Sequence, residues 1–341
     1  MRGLDNMIIK DIPVPSAGPG NVVVALEYIG ICGSDVHYYH KGSTGSFQVD
    51  LTRDFMLGHE CAGTVVELGE GVTELKIGDR VALEPGIPCG TCEFCKRGLY
   101  NLCPDVVFLA TPPVQGCNME YIEFPADYCF VLPDNVSTKE GALIEPLAVG
   151  LHAANLADVQ VGDTVAIFGC GCIGLTTAMS CRAKGAGKII MCDIVDAKVE
   201  KAKAMIADEA FNVNGKDPVA EILRLTGGKG AQCVFECAGE QITIQQSIHA
   251  VASSGTIVFE GMPVDSSVPL DFADIMSREI TMKSIFRYRH LFPKAISAVA
   301  GGSINIGGIV THEFALKDID AAYQEAVNNR TDLVKAVIKV R

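Results

Sequence analysis

Apolar residues change their rhythm along this chain. From Asn21 to about Val131 they come in short β-rich runs, NVVVALEYIG, CAGTVVELG and DRVALEPG, broken by Gly and Pro. That is the pattern of an irregular, barrel-like β domain. From Thr164 strand-like runs alternate with helical segments: TVAIFG, a helix from about Cys172 to Lys184, KIIMCD, a helix near Ala197 to Ile206, EAFNVN, a helix near Pro218 to Thr226, QCVFECAG and GTIVFEG. Such a βαβ series predicts a parallel sheet with right-handed crossovers. Past about Ile280 the segments are mixed again, ending in a helix (IDAAYQEAVNN) and a strand (KAVIKV). The expected architecture is α/β plus β: a β domain over 1–147, interrupted by an α/β domain over 148–285 and completed by 286–341.

Composition narrows the possible partners. A chain of 341 residues with 48% hydrophobic content exceeds the usual size of one domain. Its formal charge of −13 repels nucleic acid and anionic membrane, which leaves small molecules and other proteins. Residues Met1–Ser16 carry no apolar signal region, and no apolar run approaches a membrane span. A cytoplasmic chain is expected, its 14 cysteines reduced unless metal-bound.

Three constellations carry chemistry. The stretch PCGTCEFCKRGLYNLCPD sets Cys89, Cys92, Cys95 and Cys103 at C-x2-C-x2-C-x7-C spacing. Tight turns at that spacing bring four thiolates around one tetrahedral ion, so a closed structural zinc site is expected. Gly169, Gly171 and Gly174 form G-x-G-x-x-G directly after a strand and at the start of a helix. The glycines allow a tight turn and close approach of a pyrophosphate to the helix N-terminus. Asp193 ends the next strand, where a carboxylate accepts from ribose hydroxyls and repels a 2′-phosphate, which favours NAD over NADP. The third constellation is Cys32, His59 and Glu60, a thiol, an imidazole and a carboxylate on turn-like insertions beside β runs. A non-strand backbone at Gly58 would let His59 and Glu60 converge, and three ligands with a fourth position open is the catalytic arrangement of zinc.

The segments ICGSDVHYY, MLGHECAGTVVELG, GIPCGTCEFCKRGLYNLC, ALIEPLAVGLHAA, GCGCIG and SIFRYRH resemble the zinc-dependent medium-chain dehydrogenases, and within them the sorbitol (polyol) dehydrogenases. The resemblance covers nearly the whole chain and implies a GroES-like catalytic domain interrupted by a Rossmann NAD-binding domain. It implies one catalytic zinc at Cys32, His59 and Glu60, with Glu145 holding the zinc-bound water or entering the coordination shell, and one structural zinc at the four-cysteine cluster. Ser34 resembles the family's hydroxyl relay, and His37 is either the next proton carrier or a surface histidine. Ile173, Asp193, Lys198, Gly261, Met262 and Phe286 are implied to line the cofactor, Lys198 being alternatively a solvated helix residue. Arg287 and Tyr288 match the family's substrate-contacting pair, with Tyr38, Glu145 and Phe108 completing the pocket; the bland alternative for Arg287 is an ion-paired strand end. The family's opening strand looks short or absent here.

The expected reaction is oxidation of sorbitol, xylitol or a related polyol to the 2-ketose, of the L-iditol 2-dehydrogenase type, with hydride transfer to NAD. The rivals are a dehydrogenase of another secondary alcohol, such as threonine or butanediol, and a non-catalytic NAD- and zinc-binding redox sensor. The resemblance also implies a homodimer or homotetramer.

Overall fold

A computed structural model describes residues 1–263, 267–329 and 331–341. Two compact units divide it: Met1–Glu145 with Phe292–Gly302 and Val310–Arg341, and Pro146–Leu291 with Ser303–Ile309.

The first unit is organised by the strand Asn21–Gly30. Residues Val22 to Leu26 are all buried, on both faces, because neighbours cover this strand on every side. It pairs antiparallel with Glu60–Leu68, Tyr121–Pro125 and Ala336–Lys339, and the sheet continues through Arg80–Leu83 to Cys129–Val131. Register shifts at Val23/Val24 and Leu26/Tyr28 bend the pair, as bulges do in barrels. The curved sheet closes over a core that includes Val24, Leu26, Ile29, Tyr39, Val65, Leu83, Tyr323 and Ile338. One detail of register matters later. Gly30 lies opposite Glu60 on one side and Val337 on the other, so the C-terminal strand arrives beside the residues that follow Gly30.

The second unit is a six-stranded parallel sheet in the order Glu209–Asn212, Lys188–Asp193, Thr164–Phe168, Ala231–Glu236, Val251–Phe259, Thr281–Ser284. Buried on both faces, its inner strands Lys188–Asp193 and Thr164–Phe168 read as continuous apolar runs such as KIIMCD. The helices Cys172–Lys184, Asp196–Met205 and Pro218–Leu225 follow the expected spans within a residue or two. A further helix, Gln241–Ala250, is not among the expected elements, because its core contact rests on Ile244, Ser247 and Ile248 and two of its neighbours are glutamines. Among the described residues no helix is long and apolar enough to cross a membrane.

Candidate active site

Cys32 N-caps the helix Gly33–Lys41 just after the central strand. Ser34 Oγ donates to Cys32 Sγ at 3.3 Å. Gly58 has φ +92°, and a Cβ there would collide with Asn118. This left-handed turn ahead of the strand Glu60–Leu68 lets His59 and Glu60, which a strand would send to opposite faces, both reach Cys32. Donor atoms of the three lie within 4.8 Å of one another.

Two residues that sequence reasoning missed hold this corner. Asp35 is fully buried; its Oδ1 accepts from Gly58 N at 3.1 Å, and its Oδ2 lies 3.4 Å from His59 Nδ1. A signal for it existed, since Asp35 is the acid of a capping box with Cys32. Burial opposes a proton on His59, but the charges of Asp35 and Cys32 outweigh it and raise His59 well above 6.5. A cation at Cys32 would displace that proton. The second residue is Lys335, buried beside the site by the register across Gly30. Its Nζ donates to Glu60 Oε1 at 2.6 Å and to Ile31 O at 2.9 Å. Glu60 Oε2, 2.5 Å from the same ammonium, takes no hydrogen bond among the described residues. A thiol, an imidazole and a carboxylate oxygen still lacking a hydrogen bond fit a zinc ion with an open position.

The four-cysteine lobe fits zinc in a different way. Cys89 accepts from Cys92 N and Cys92 from Cys95 N, each at 3.4 Å, and Cys92 caps the one-turn helix Glu93–Lys96. All four sulfurs lie within 4.8 Å of one another. Backbone and hydroxyl hydrogen bonds, chiefly from Thr91, lower Cys89 to about 6, while burial and the neighbouring thiols push Cys95 up to about 12. Four thiolates so close repel, and a divalent cation is what allows all of them to ionise together. Tyr100, inside the lobe, donates to buried Glu84 at the end of strand Arg80–Leu83 at 2.6 Å. A third cluster, His249, Asp271 and Asp274, is an ion-pair network in which Arg278 engages both oxygens of Asp274.

In the second unit Gly169 has φ +106°, and a Cβ on Gly174 would collide with Gly169 O, so the turn requires both glycines. Gly171 caps the helix that Cys172 and Ile173 open. Asp193 Oδ2 accepts from Cys170 N at 2.7 Å and Oδ1 from Val195 N at 3.0 Å, tying the acid to the turn it was expected to accompany. Lys198 is half-buried on the next helix, close enough for its charge to act on Cys170. Gly261 follows the strand Val251–Phe259, with Met262 and Phe286 exposed.

Of the remaining candidates, Glu145 is buried in the first turn of the helix Ile144–Ala157. The Phe108 ring is 5.7 Å from the His59 ring. Tyr38 is buried in the barrel core, edge-on to Phe55 at 6.4 Å, and His37 is exposed. Arg287 has φ +57° and holds its guanidinium 4.7 Å from the Phe286 ring centre, and Tyr288 is buried beside it in sequence.

Residues 18–134 match the family described as "Alcohol dehydrogenase GroES-like domain", and residues 172–301 match "Zinc-binding dehydrogenase". Sorbitol dehydrogenase of Bacillus subtilis is 40% identical over 338 residues, 99% of this chain and 95% of that protein. An Escherichia coli oxidoreductase of unknown specificity superposes with a TM-score of 0.95 at 39% identity, covering 100% of this chain and 97% of that one. For 2R,3R-butanediol dehydrogenase of Bacillus subtilis the TM-score is 0.90 at 31% identity, covering 100% and 98%.

Proposed function

Because the chain belongs to the zinc-dependent medium-chain dehydrogenases of sorbitol dehydrogenase-like type, with zinc and NAD(P) as cofactors, we propose that it oxidises a five- or six-carbon polyol such as sorbitol or xylitol at C2 to the 2-ketose, using NAD. When bound, zinc supplies Lewis acidity that lowers the pKa of the substrate hydroxyl, and the nicotinamide accepts hydride. Cys32, His59 and Glu60 hold the catalytic ion, with Asp35 orienting His59 through Nδ1. Ser34, bonded to Cys32 Sγ, takes the hydroxyl proton, and His37 passes it outward. Glu145 would either hold the zinc-bound water or enter the coordination shell. Asp193 receives the adenosine ribose hydroxyls and disfavours a 2′-phosphate, and Cys89, Cys92, Cys95 and Cys103 hold the structural ion.

The observation that carries the polyol reading is Arg287. A non-glycine residue at φ +57° with its guanidinium parked over Phe286 is held in place against backbone preference, which fits a side chain that must offer donors to substrate hydroxyls. Tyr38, Phe108 and Tyr288 are the other substrate contacts of this reading. Turnover on sorbitol, xylitol, threonine, 2,3-butanediol and 2-butanol, with NAD and with NADP, tests the reading. Polyols with NAD should lead, and Arg287→Met should lower kcat/KM for polyols about 10- to 100-fold while sparing 2-butanol, since only the longer chain loses hydrogen bonds to a charged group. Equal losses on both would assign Arg287 to cofactor or fold, and a lead for butanediol would favour that alcohol instead.

A further inference from the structure

At the C-terminal edge of the parallel sheet a second carboxyl lies under the glycine turn. Glu260 follows the strand Val251–Phe259, and Thr177 Oγ1 is 2.9 Å from its Oε2 and 3.1 Å from its Oε1. Cys237 Sγ donates to Oε1 at 3.4 Å. Both partners belong to the floor of the turn. Thr177 is on the helix that opens at Gly171. Cys237 N donates to Phe168 O at 2.9 Å, and a Cβ on Gly169 would stand 3.4 Å from the Cys237 carbonyl carbon. The backbone N–H groups of Glu260 and Gly261 both donate to Glu236 O. The Glu260 carboxyl therefore joins the helix and two strand ends on which a dinucleotide at this turn would rest.

We propose that Glu260 is a positioning residue of the cofactor site: its carboxyl ties Thr177 to Cys237 beneath the turn, and a negative charge there weakens dinucleotide binding, that of the reduced form more than that of the oxidised. The proposal rests on the dinucleotide reading of Gly169–Gly174. Part of the Glu260 side chain reaches solvent, yet protein crowds its carboxyl, and burial raises it to about 8. The titratable groups facing it are Glu236 on the neighbouring strand, Cys237 past that strand's end and Cys181 on the helix. Burial keeps both thiols neutral well above 9, and it raises Glu236 as well, so none of them offsets a charge on Glu260. Once ionised, Glu260 repels the pyrophosphate. The oxidised cofactor carries a compensating ring cation that the reduced one lacks. A unit charge acting over about 10 Å at an effective dielectric near 20 changes an equilibrium roughly tenfold.

The test is the Kd of NADH by fluorescence, with NAD by competition, on the full-length zinc-loaded protein from about pH 6.5 to 9.5 at constant ionic strength. In the wild type the NADH Kd should rise roughly tenfold with a midpoint near 8, and the NAD Kd should rise less. Glu260→Gln should remove that part of the pH dependence. Thr177→Val, which deletes a hydrogen bond that lowers the Glu260 pKa, should move the midpoint upward and serves independently if the glutamine variant folds poorly. Identical pH profiles for wild type, Glu260→Gln and Thr177→Val, or a larger loss for NAD than for NADH, would overturn the proposal. Failure of either dinucleotide to bind at any pH would overturn the cofactor reading and this proposal together, whereas tight, pH-independent binding removes this proposal alone.

Discussion

The two cysteine-bearing candidate metal sites of the first unit are built on opposite plans. In the lobe, four like donors come from 15 consecutive residues, Cys89 to Cys103, and backbone N–H groups of the same stretch aim the sulfurs of Cys89, Cys92 and Cys103. At Cys32 the donors are three different chemical types, and the groups that hold them come from Asp35 and from Lys335, 275 positions beyond Glu60. On the reading proposed above, the lobe is a local chelate that would gain its fold from an ion, whereas the Cys32 corner is held by distant residues of the barrel. Structural zinc can be enclosed by its own loop, but a site that must leave one position open for substrate needs its ligands fixed by the rest of the protein.

The largest expected effect separates these plans directly. Cys32→Ser should lower kcat/KM by about 10³-fold or more and remove one of two zinc ions with little change in thermal stability. Cys92→Ser should remove the other ion and lower Tm by the equivalent of several kcal/mol. Metal analysis beside calorimetry decides, and a Cys32→Ser protein as unstable as Cys92→Ser would collapse the contrast.

Next is the support from the C-terminal strand. Lys335→Met strands the buried Glu60 carboxylate, at a cost on the order of 3–5 kcal/mol when no cation is present. Zinc at Cys32 offsets part of that charge. Urea unfolding should therefore find the variant far more destabilised after metal removal than when zinc-loaded, and equal destabilisation in both states would mean that Glu60 does not share its charge with the metal.

The smallest effect concerns how the lobe is fastened to the barrel. Burial raises Glu84 from 4.5 to about 7, against the opposing hydrogen bond from Tyr100. The folded state therefore holds an extra proton between those values. Stability contributed by that proton is present below about pH 4.5 and is lost as pH rises through about 7. Glu84→Gln keeps an acceptor for Tyr100 without the charge, so it should stabilise the protein at pH 8 by roughly 1–3 kcal/mol and make no difference near pH 4.5. A Tm difference that ignores pH would show that Glu84 is not the buried acid its surroundings make it.

The same division between local and distant partners governs which features are legible in the order of amino acids alone. The lobe, the glycine turn and the alternation of strands and helices are short-range patterns: turns at fixed cysteine spacing, φ above zero at Gly169, apolar runs of strand length. The left-handed backbone at Gly58 is legible too, since adjacent His and Glu cannot converge on a regular strand. Local chemistry dictates those features, so the sequence by itself determined them. Lys335 carries no such signal, because nothing in LVKAVIKV distinguishes a buried lysine from a solvated one until the pairing of Ala336–Lys339 with Asn21–Gly30 carries it to Glu60. Glu260 is similar, an acid at a strand end whose partners, Thr177 and Cys237, are 83 and 23 positions away. Which acid finds a cation, a hydroxyl or a buried wall depends on strand register and sheet order, and only the tertiary structure decided those pairings.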